Sequence, residues 1–125
     1  MQGGITQGAG HVLGEQAVYD RETGQLLTGS FMDYPMPRAI LVNNLRVLEH
    51  PVPTATNPLG AKGVGEAGVT GSMPCVMNAV LDALRQAGVT HFDMPATSQR
   101  LWAAIRSAKN GNPRALAVEE FPAGV

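Results

Sequence analysis

The 125-residue sequence has few charged residues and a single cysteine. Charged residues make up 15% of the chain, and its net charge of -1 excludes the basic surface needed to bind nucleic acid or an anionic membrane. Cys75 has no second cysteine as a partner, so a disulfide within the chain and a cysteine-rich zinc or iron–sulfur site are excluded.

Long apolar runs are also absent. No stretch approaches the ~20 apolar residues of a membrane helix, and residues 1–8 lack the basic and apolar parts of a secretory signal. These absences predict a cytoplasmic protein without membrane insertion, in which Cys75 is a small buried apolar residue.

Glycine and proline, in contrast, are abundant, with 15 and 9 residues. The glycines concentrate near the start of the chain and over residues 60–71. A weakly charged, glycine-rich surface is typical of faces that meet another polypeptide or a ligand.

Apolar periodicity and turn signals predict helices that alternate irregularly with short extended segments. The predicted helices cover residues 5–18, residues 72–87 with a Ser72 cap and a Gly88 stop, and residues from a Thr97 or Ser98 cap to Asn110. The predicted extended segments are residues 25–34, 41–50 and 90–94. Phe92 and Trp102 are expected in the core. This order predicts an α+β fold of mixed helices and short strands.

The glycine-rich segment 60–71 surrounds one carboxylate, Glu66. Gly63, Gly65 and Gly68 match the spacing of a dinucleotide-binding loop, but a proline-rich connection precedes them instead of a buried strand. Two interpretations of Glu66 remain. Flanking glycines allow a tight turn that projects it into a site as a general base, or it only favours the positive N-terminal end of the following helix.

Other chemistry is poorly supported. His11, His50 and His91 are scattered without partners at ligand spacing, so no metal site built from this chain alone is expected. Ser30 and Ser72 lack the sequence context of a serine hydrolase nucleophile.

Several linked motifs, in order, resemble the molybdenum-cofactor-binding large subunit of the xanthine dehydrogenase and aldehyde oxidase family, closest to the aerobic carbon monoxide dehydrogenase type. The similar segments include Gln2-Gly3-Gly4-Ile5-Thr6-Gln7-Gly8, Gly29-Ser30-Phe31-Met32-Asp33-Tyr34, Thr56-Asn57-Pro58-Leu59-Gly60-Ala61-Lys62-Gly63-Val64-Gly65-Glu66, Asn78-Ala79-Val80-Leu81-Asp82-Ala83-Leu84 and Met94-Pro95-Ala96-Thr97.

The resemblance implies an oxidoreductase that hydroxylates an aldehyde, an N-heterocycle or a similar small substrate with water, or that oxidises carbon monoxide. Glu66 would be its catalytic base, and Lys62, Gly63, Val64 and Gly65 would bind the cofactor. That cofactor is a molybdenum–pyranopterin, as molybdopterin or its cytosine dinucleotide form, and iron–sulfur clusters and FAD are expected in partner chains.

Family large subunits are much longer, and the resemblance covers only their C-terminal end. We therefore expect residues 1–125 to be one C-terminal fragment of a molybdopterin-binding domain, with a flexible tail over residues 114–125, inactive without the rest of the large subunit and the iron–sulfur and flavin subunits. The family's cysteine loop for carbon monoxide oxidation lies upstream, and Cys75 does not occupy its place. The alternative is a non-catalytic structural or interaction module left from a truncated or split gene; a homo-oligomer is also open.

Overall fold

The computed structural model describes residues 1–42 and 44–112, which form three α-helices joined by irregular connections. Helix α1 covers Gln2–Leu13, α2 covers Ala67–Gln86 and α3 covers Ser98–Lys109, and a short 3-10 helix covers Ala39–Val42. Within these ranges the chain forms no strand longer than an isolated antiparallel bridge between Tyr19 and Leu26. The architecture is therefore mainly helical, and the strands of the expected α+β pattern are not confirmed.

Glycines allow α1 and α2 to lie in direct contact. A Cβ at Gly4 would lie 3.2 Å from the Gly68 Cα, and a Cβ at Gly8 would overlap the Ser72 Oγ. Because the contacts advance in the same direction along both helices, α1 and α2 run parallel and their N-termini share one end of the pair. The glycines near the start of the chain thus lie against another segment of the same polypeptide.

Helix α2 begins five residues earlier than expected. Ser72 is buried inside it, and its hydroxyl donates to the Val69 carbonyl at 3.3 Å, so the prediction that Ser72 caps this helix is wrong. The low helix propensity of glycine predicts a loop at the start of α2, but contact with α1 holds Gly68 in the helix. Gly88, at φ +83°, follows the helix end as expected.

Helix α3 closes the small core. The Thr97 hydroxyl accepts from the Arg100 amide at 3.4 Å and caps the helix, as expected. The Ala96 amide donates to the Val12 carbonyl and so joins the segment before α3 to the C-terminal end of α1. The buried apolar residues are Val12, Leu84, Val89, Phe92, Ala96 and Ala104.

Arg100 is a charged residue in this core, 5% exposed. Its guanidinium lies over the Phe92 ring at 5.2 Å and donates to the Pro95 carbonyl at 2.6 Å. Burial lowers the pKa of Arg100 from its ordinary value, with an opposing contribution from Asp93. The core position of Phe92 is confirmed, whereas Trp102 is 59% exposed, so the prediction that it is a core residue is wrong.

The long connection between α1 and α2 follows an irregular path. Its first turn is organised by the Asp20 carboxylate, which accepts from the hydroxyl and the amide of Thr23, both at 2.7 Å. Residues 30–34 turn on themselves and residues 45–53 are irregular, so the extended segments 25–34 and 41–50 are wrong beyond the bridge at Leu26. Neither segment has a partner strand among the described residues, and an isolated strand cannot satisfy its backbone groups.

Residues 90–94 likewise form no strand in the part of the chain that the structure describes, although His91 is an isolated bridge residue. No helix there combines the length and apolarity of a membrane span. The tail expected over 114–125 lies outside the described residues.

Candidate active site

Glu66 stands at the first turn of α2, at the end that α2 shares with the start of α1. It is the N-cap residue, its carboxylate makes no capping hydrogen bond, and its side chain is exposed. Its backbone carbonyl accepts from the Thr70 amide at 3.0 Å, which fixes the residue on the helix. The carboxylate is thus held on a rigid element but is free to face a group outside this chain.

Asn57 braces the loop that leads to Glu66. Its Oδ1 accepts from the amides of Leu59 and Ala61, both at 3.1 Å, and its Nδ2 donates to the Ala61 carbonyl at 2.9 Å. Gly60, between them, adopts φ +63°, a conformation that favours glycine. One side chain therefore sets the shape of the turn immediately before Lys62.

Two helix N-termini lie side by side at this end. Neither α1, which begins after Met1, nor α2 has a side-chain cap hydrogen bond. The first amides of a helix have no acceptor inside it and carry a partial positive charge, so they favour an anion. The arrangement suits a negatively charged ligand near the α2 start.

An open depression of about 680 Å³ lies along the Glu66 loop. Its lining residues are Gly63, Val64, Gly65, Glu66, Ala67, Thr70 and Gly71. A Cβ at Gly63, Gly65 or Gly71 would meet no atom within 4 Å, so here the glycines leave the backbone accessible from outside. The depression is therefore open and exposes glycine backbone to a ligand.

The structure brings together the residues expected to form the site. Gly63, Val64, Gly65 and Glu66 all line the depression, and Lys62 is exposed just before them. The described residues hold no group of three or more His, Cys, Asp or Glu side chains able to bind a metal ion. Cys75 is exposed on α2, so its expected burial is wrong.

Thr70 and Gly71 line the same depression, although sequence reasoning assigned them no role. The spacing along the sequence could have indicated Thr70, because Thr70 lies one helical turn after Glu66 when α2 starts at Ala67. A helix predicted to start at Ser72 leaves Glu66 and Thr70 outside it, so their shared helix face could not be predicted.

A second polar cluster lies at the other end of α1, apart from the depression. The Tyr34 hydroxyl donates to Glu15 Oε2 at 2.8 Å, and His11 Nε2 lies 3.5 Å from the same oxygen. The hydrogen bond to Glu15 raises the pKa of Tyr34 above its ordinary value, since ionising the phenol would break the bond and oppose two negative charges. This cluster fixes the connection after α1 onto that helix.

Comparison with known proteins identifies a family model and several relatives that match this chain. Residues 1–42 match the model of the molybdopterin cofactor-binding domain. The carbon monoxide dehydrogenase large chain of Hydrogenophaga pseudoflava is 39% identical over 106 residues, which are 85% of this chain and 13% of that protein. The nicotine 6-hydroxylase large subunit of Paenarthrobacter nicotinovorans is 35% identical over 109 residues, or 87% of this chain and 13% of that protein.

Solved structures agree with these relatives. The Cu,Mo carbon monoxide dehydrogenase matches with a TM-score of 0.78 and 35% identity, over 86% of this chain and 14% of that chain. The chain thus spans about one-eighth of the length of the relatives it matches.

Proposed function

The chain belongs to the molybdenum-cofactor-binding large-subunit family of carbon monoxide dehydrogenases and related molybdenum hydroxylases, and on that premise we propose that it supplies the base of a hydroxylase active site. Glu66 is the base, and residues 1–125 form the C-terminal part of the large subunit. The single observation that carries the proposal is the exposed Glu66 carboxylate beside two uncapped helix N-termini.

The residues around Glu66 fit an anionic cofactor. Gly63 and Gly65 leave their backbone open on the depression, Val64 lines it, and Lys62 is an exposed cation next to Gly63 in the chain. These four residues would hold the molybdenum–pyranopterin, as molybdopterin or its cytosine dinucleotide, by backbone amides and by charge. When bound, the cofactor supplies the two-electron redox chemistry of the reaction.

Glu66 contributes proton transfer. Its carboxylate accepts a proton from water-derived oxygen as that oxygen becomes bonded to a substrate carbon, and later releases the proton to solvent. For each C–H bond converted to C–OH, water supplies the oxygen, and two protons and two electrons leave. Iron–sulfur clusters and FAD in partner chains would accept these electrons. The helix places the carboxylate without requiring it to move.

The substrate is a small molecule with an electron-poor carbon. The relatives support this class by name, since one is a nicotine 6-hydroxylase, and an aldehyde or N-heterocycle satisfies the same chemistry. Carbon monoxide oxidation is the second candidate, and the similarity to carbon monoxide dehydrogenase large chains favours it.

The exposed apolar side chains of the α1–α2 connection support a partner that covers them. Met32 is 92% exposed, Leu48 87% and Leu59 89%, and Phe31 and Ile40 are each 78% exposed. So much apolar surface on one connection is typical of an interface. The matched residues make up only 13% of the carbon monoxide dehydrogenase large chain, so the occupant we propose is the rest of the large-subunit polypeptide.

The test compares two variants of the enzyme reassembled from this chain, the rest of the large subunit and the partner chains. Glu66→Gln should lower kcat by about 10²–10⁴-fold at unchanged molybdenum content, because the base is lost while the cofactor stays. Glu49→Gln, which removes an exposed carboxylate from the connection, should leave kcat within about twofold.

The chain alone should hold no molybdenum and reduce no dye. Full turnover of the Glu66→Gln enzyme at normal molybdenum content contradicts the role of Glu66 as the base. In that case the chain is the non-catalytic structural module of the alternative. Stoichiometric molybdenum with activity in the isolated chain contradicts the need for other polypeptide.

A further inference from the structure

We propose that the outer face of α3, formed by Trp102, Arg106 and Lys109, is a docking surface for an acidic polypeptide segment. The proposal does not depend on the function of Glu66. The three residues follow one another at spacings of four and three, so they lie along one side of the helix. We call this side the Trp102 face.

Trp102 is exposed, although the inner side of α3 packs against the buried core. Ala104 is 3% exposed on the inner side of the helix, and Leu101 and Ile105 pack against the buried cluster with it. Trp102 points away from them and leaves 59% of its surface accessible. An indole contributes little to the stability of this chain from that position but is among the strongest contributors to protein interfaces.

Arg106 is already ordered against the indole. Its guanidinium carbon lies 5.1 Å from the centroid of the Trp102 ring. A stacked guanidinium keeps its N–H groups directed outward in its own plane, where they can bind a carboxylate through two parallel hydrogen bonds. The stacking lowers the entropy that binding must remove from both side chains.

The charge of the Trp102 face selects the chemistry of the partner. Helix α3 contains Arg100, Arg106 and Lys109 and no acidic residue, and Arg100 is turned into the core. The salt bridges formed among the described residues involve histidines only, so Arg106 and Lys109 have no carboxylate within 4 Å there. Two cations that form no salt bridge within residues 1–42 and 44–112, beside an exposed indole, complement a segment that offers two carboxylates and an apolar side chain.

A phosphate backbone is a poorer match than an acidic polypeptide. Nucleic-acid binding needs a stripe of several cations, whereas the whole chain has nine Lys and Arg and a net charge of -1. None of the three residues of the Trp102 face lines the depression at Glu66.

Trp102 is the sole tryptophan, so its fluorescence reports on this face directly. The probes are a synthetic peptide of alternating Glu and Leu, a second in which Lys replaces Glu, and a single-stranded oligonucleotide. The Glu peptide should give a saturable change in the emission of the full chain, and its affinity should fall as salt is raised. The other two probes should give no saturable change.

Two variants and one control test the residues. Arg106→Gln with Lys109→Gln should weaken binding of the Glu peptide at least about tenfold, whereas Arg46→Gln, which removes an exposed cation from the connection, should change it less than about twofold. Arg106→Lys keeps the charge but loses the planar group, so it should retain the salt dependence with weaker binding. Circular dichroism checks that each variant is folded.

The proposal is overturned by the absence of saturable binding of the Glu peptide at low salt. It is equally overturned by binding of the Lys peptide or the oligonucleotide as tightly, or by an Arg106→Gln, Lys109→Gln chain that binds as well as the Arg46→Gln control.

Discussion

Gly8 of α1 and Ser72 of α2 share one position between the two helices, so that a methyl group at Gly8 would overlap the Ser72 hydroxyl. Rotating that hydroxyl away would break its hydrogen bond to Val69 and would not relieve the other contacts. The Val69 carbonyl at 3.0 Å and the Met73 amide at 3.2 Å belong to the α2 backbone, which cannot move alone.

Gly8→Ala should therefore destabilise the chain by about 2 kcal/mol, because the cost of overpacking exceeds the gain in helix propensity. Gly71→Ala is the matched control, since a Cβ there meets no atom within 4 Å, and it should stabilise the chain by about 1 kcal/mol. Unfolding in urea measures both. Equal effects of the two substitutions contradict the close contact of α1 and α2.

Replacing Asn57 should loosen the loop before Glu66 without unfolding α2. Asn57→Ala removes three hydrogen bonds to Leu59 and Ala61, so the amides of these residues should exchange with solvent at least about tenfold faster. Asn57→Asp keeps the two accepted bonds and should protect both amides better than Asn57→Ala. Hydrogen exchange followed by NMR distinguishes the two variants, and unchanged exchange in Asn57→Ala contradicts the bracing role.

The Tyr34–Glu15 hydrogen bond should make stability depend on alkaline pH. The folded state raises the pKa of Tyr34, so the stabilisation is complete below the unfolded value of about 10 and is lost as pH rises through the folded pKa. Tyr34→Phe lacks the bond at every pH. The stability difference between wild type and Tyr34→Phe should be constant near neutrality and shrink above about pH 10.

Urea unfolding from pH 7 to about pH 12 measures this difference. Tyr19→Phe removes an exposed phenol for which the described part of the chain provides no such bond, and it should follow the wild-type curve. A Tyr34→Phe curve that stays parallel to wild type throughout contradicts the hydrogen bond.

Local signals predict the end of α2 and the start of α3 well. Thr97 caps α3 and Gly88 follows α2 because capping depends on a few neighbouring residues, which a sequence displays directly. The prediction of a buried Trp102 fails because of its position next to Leu101, whose side chain packs against the core. Adjacent residues of a helix are about 100° apart around its axis, so Trp102 faces another direction.

Features that depend on distant residues could not be predicted. The early start of α2 comes from the contact of Gly68 with α1, which overrides the weak helix propensity of glycine. Segments 25–34 and 41–50 have strand-like composition, but strand formation needs a partner that these ranges do not find among the described residues. Glu66 could be singled out because glycines surround it, whereas its position beside the start of α1 required the parallel helix pair.

That parallel pair has a consequence for how the chain folds. Gly4 and Gly68 are about 64 positions apart, so the first contact between the helices must close a long loop, which costs about 2.4 kcal/mol more than closing a four-residue helical hairpin. Contacts so remote along a chain slow folding relative to a bundle of sequential antiparallel helices. We expect α2 and α3, which are neighbours in the chain, to associate first and α1 to join them last.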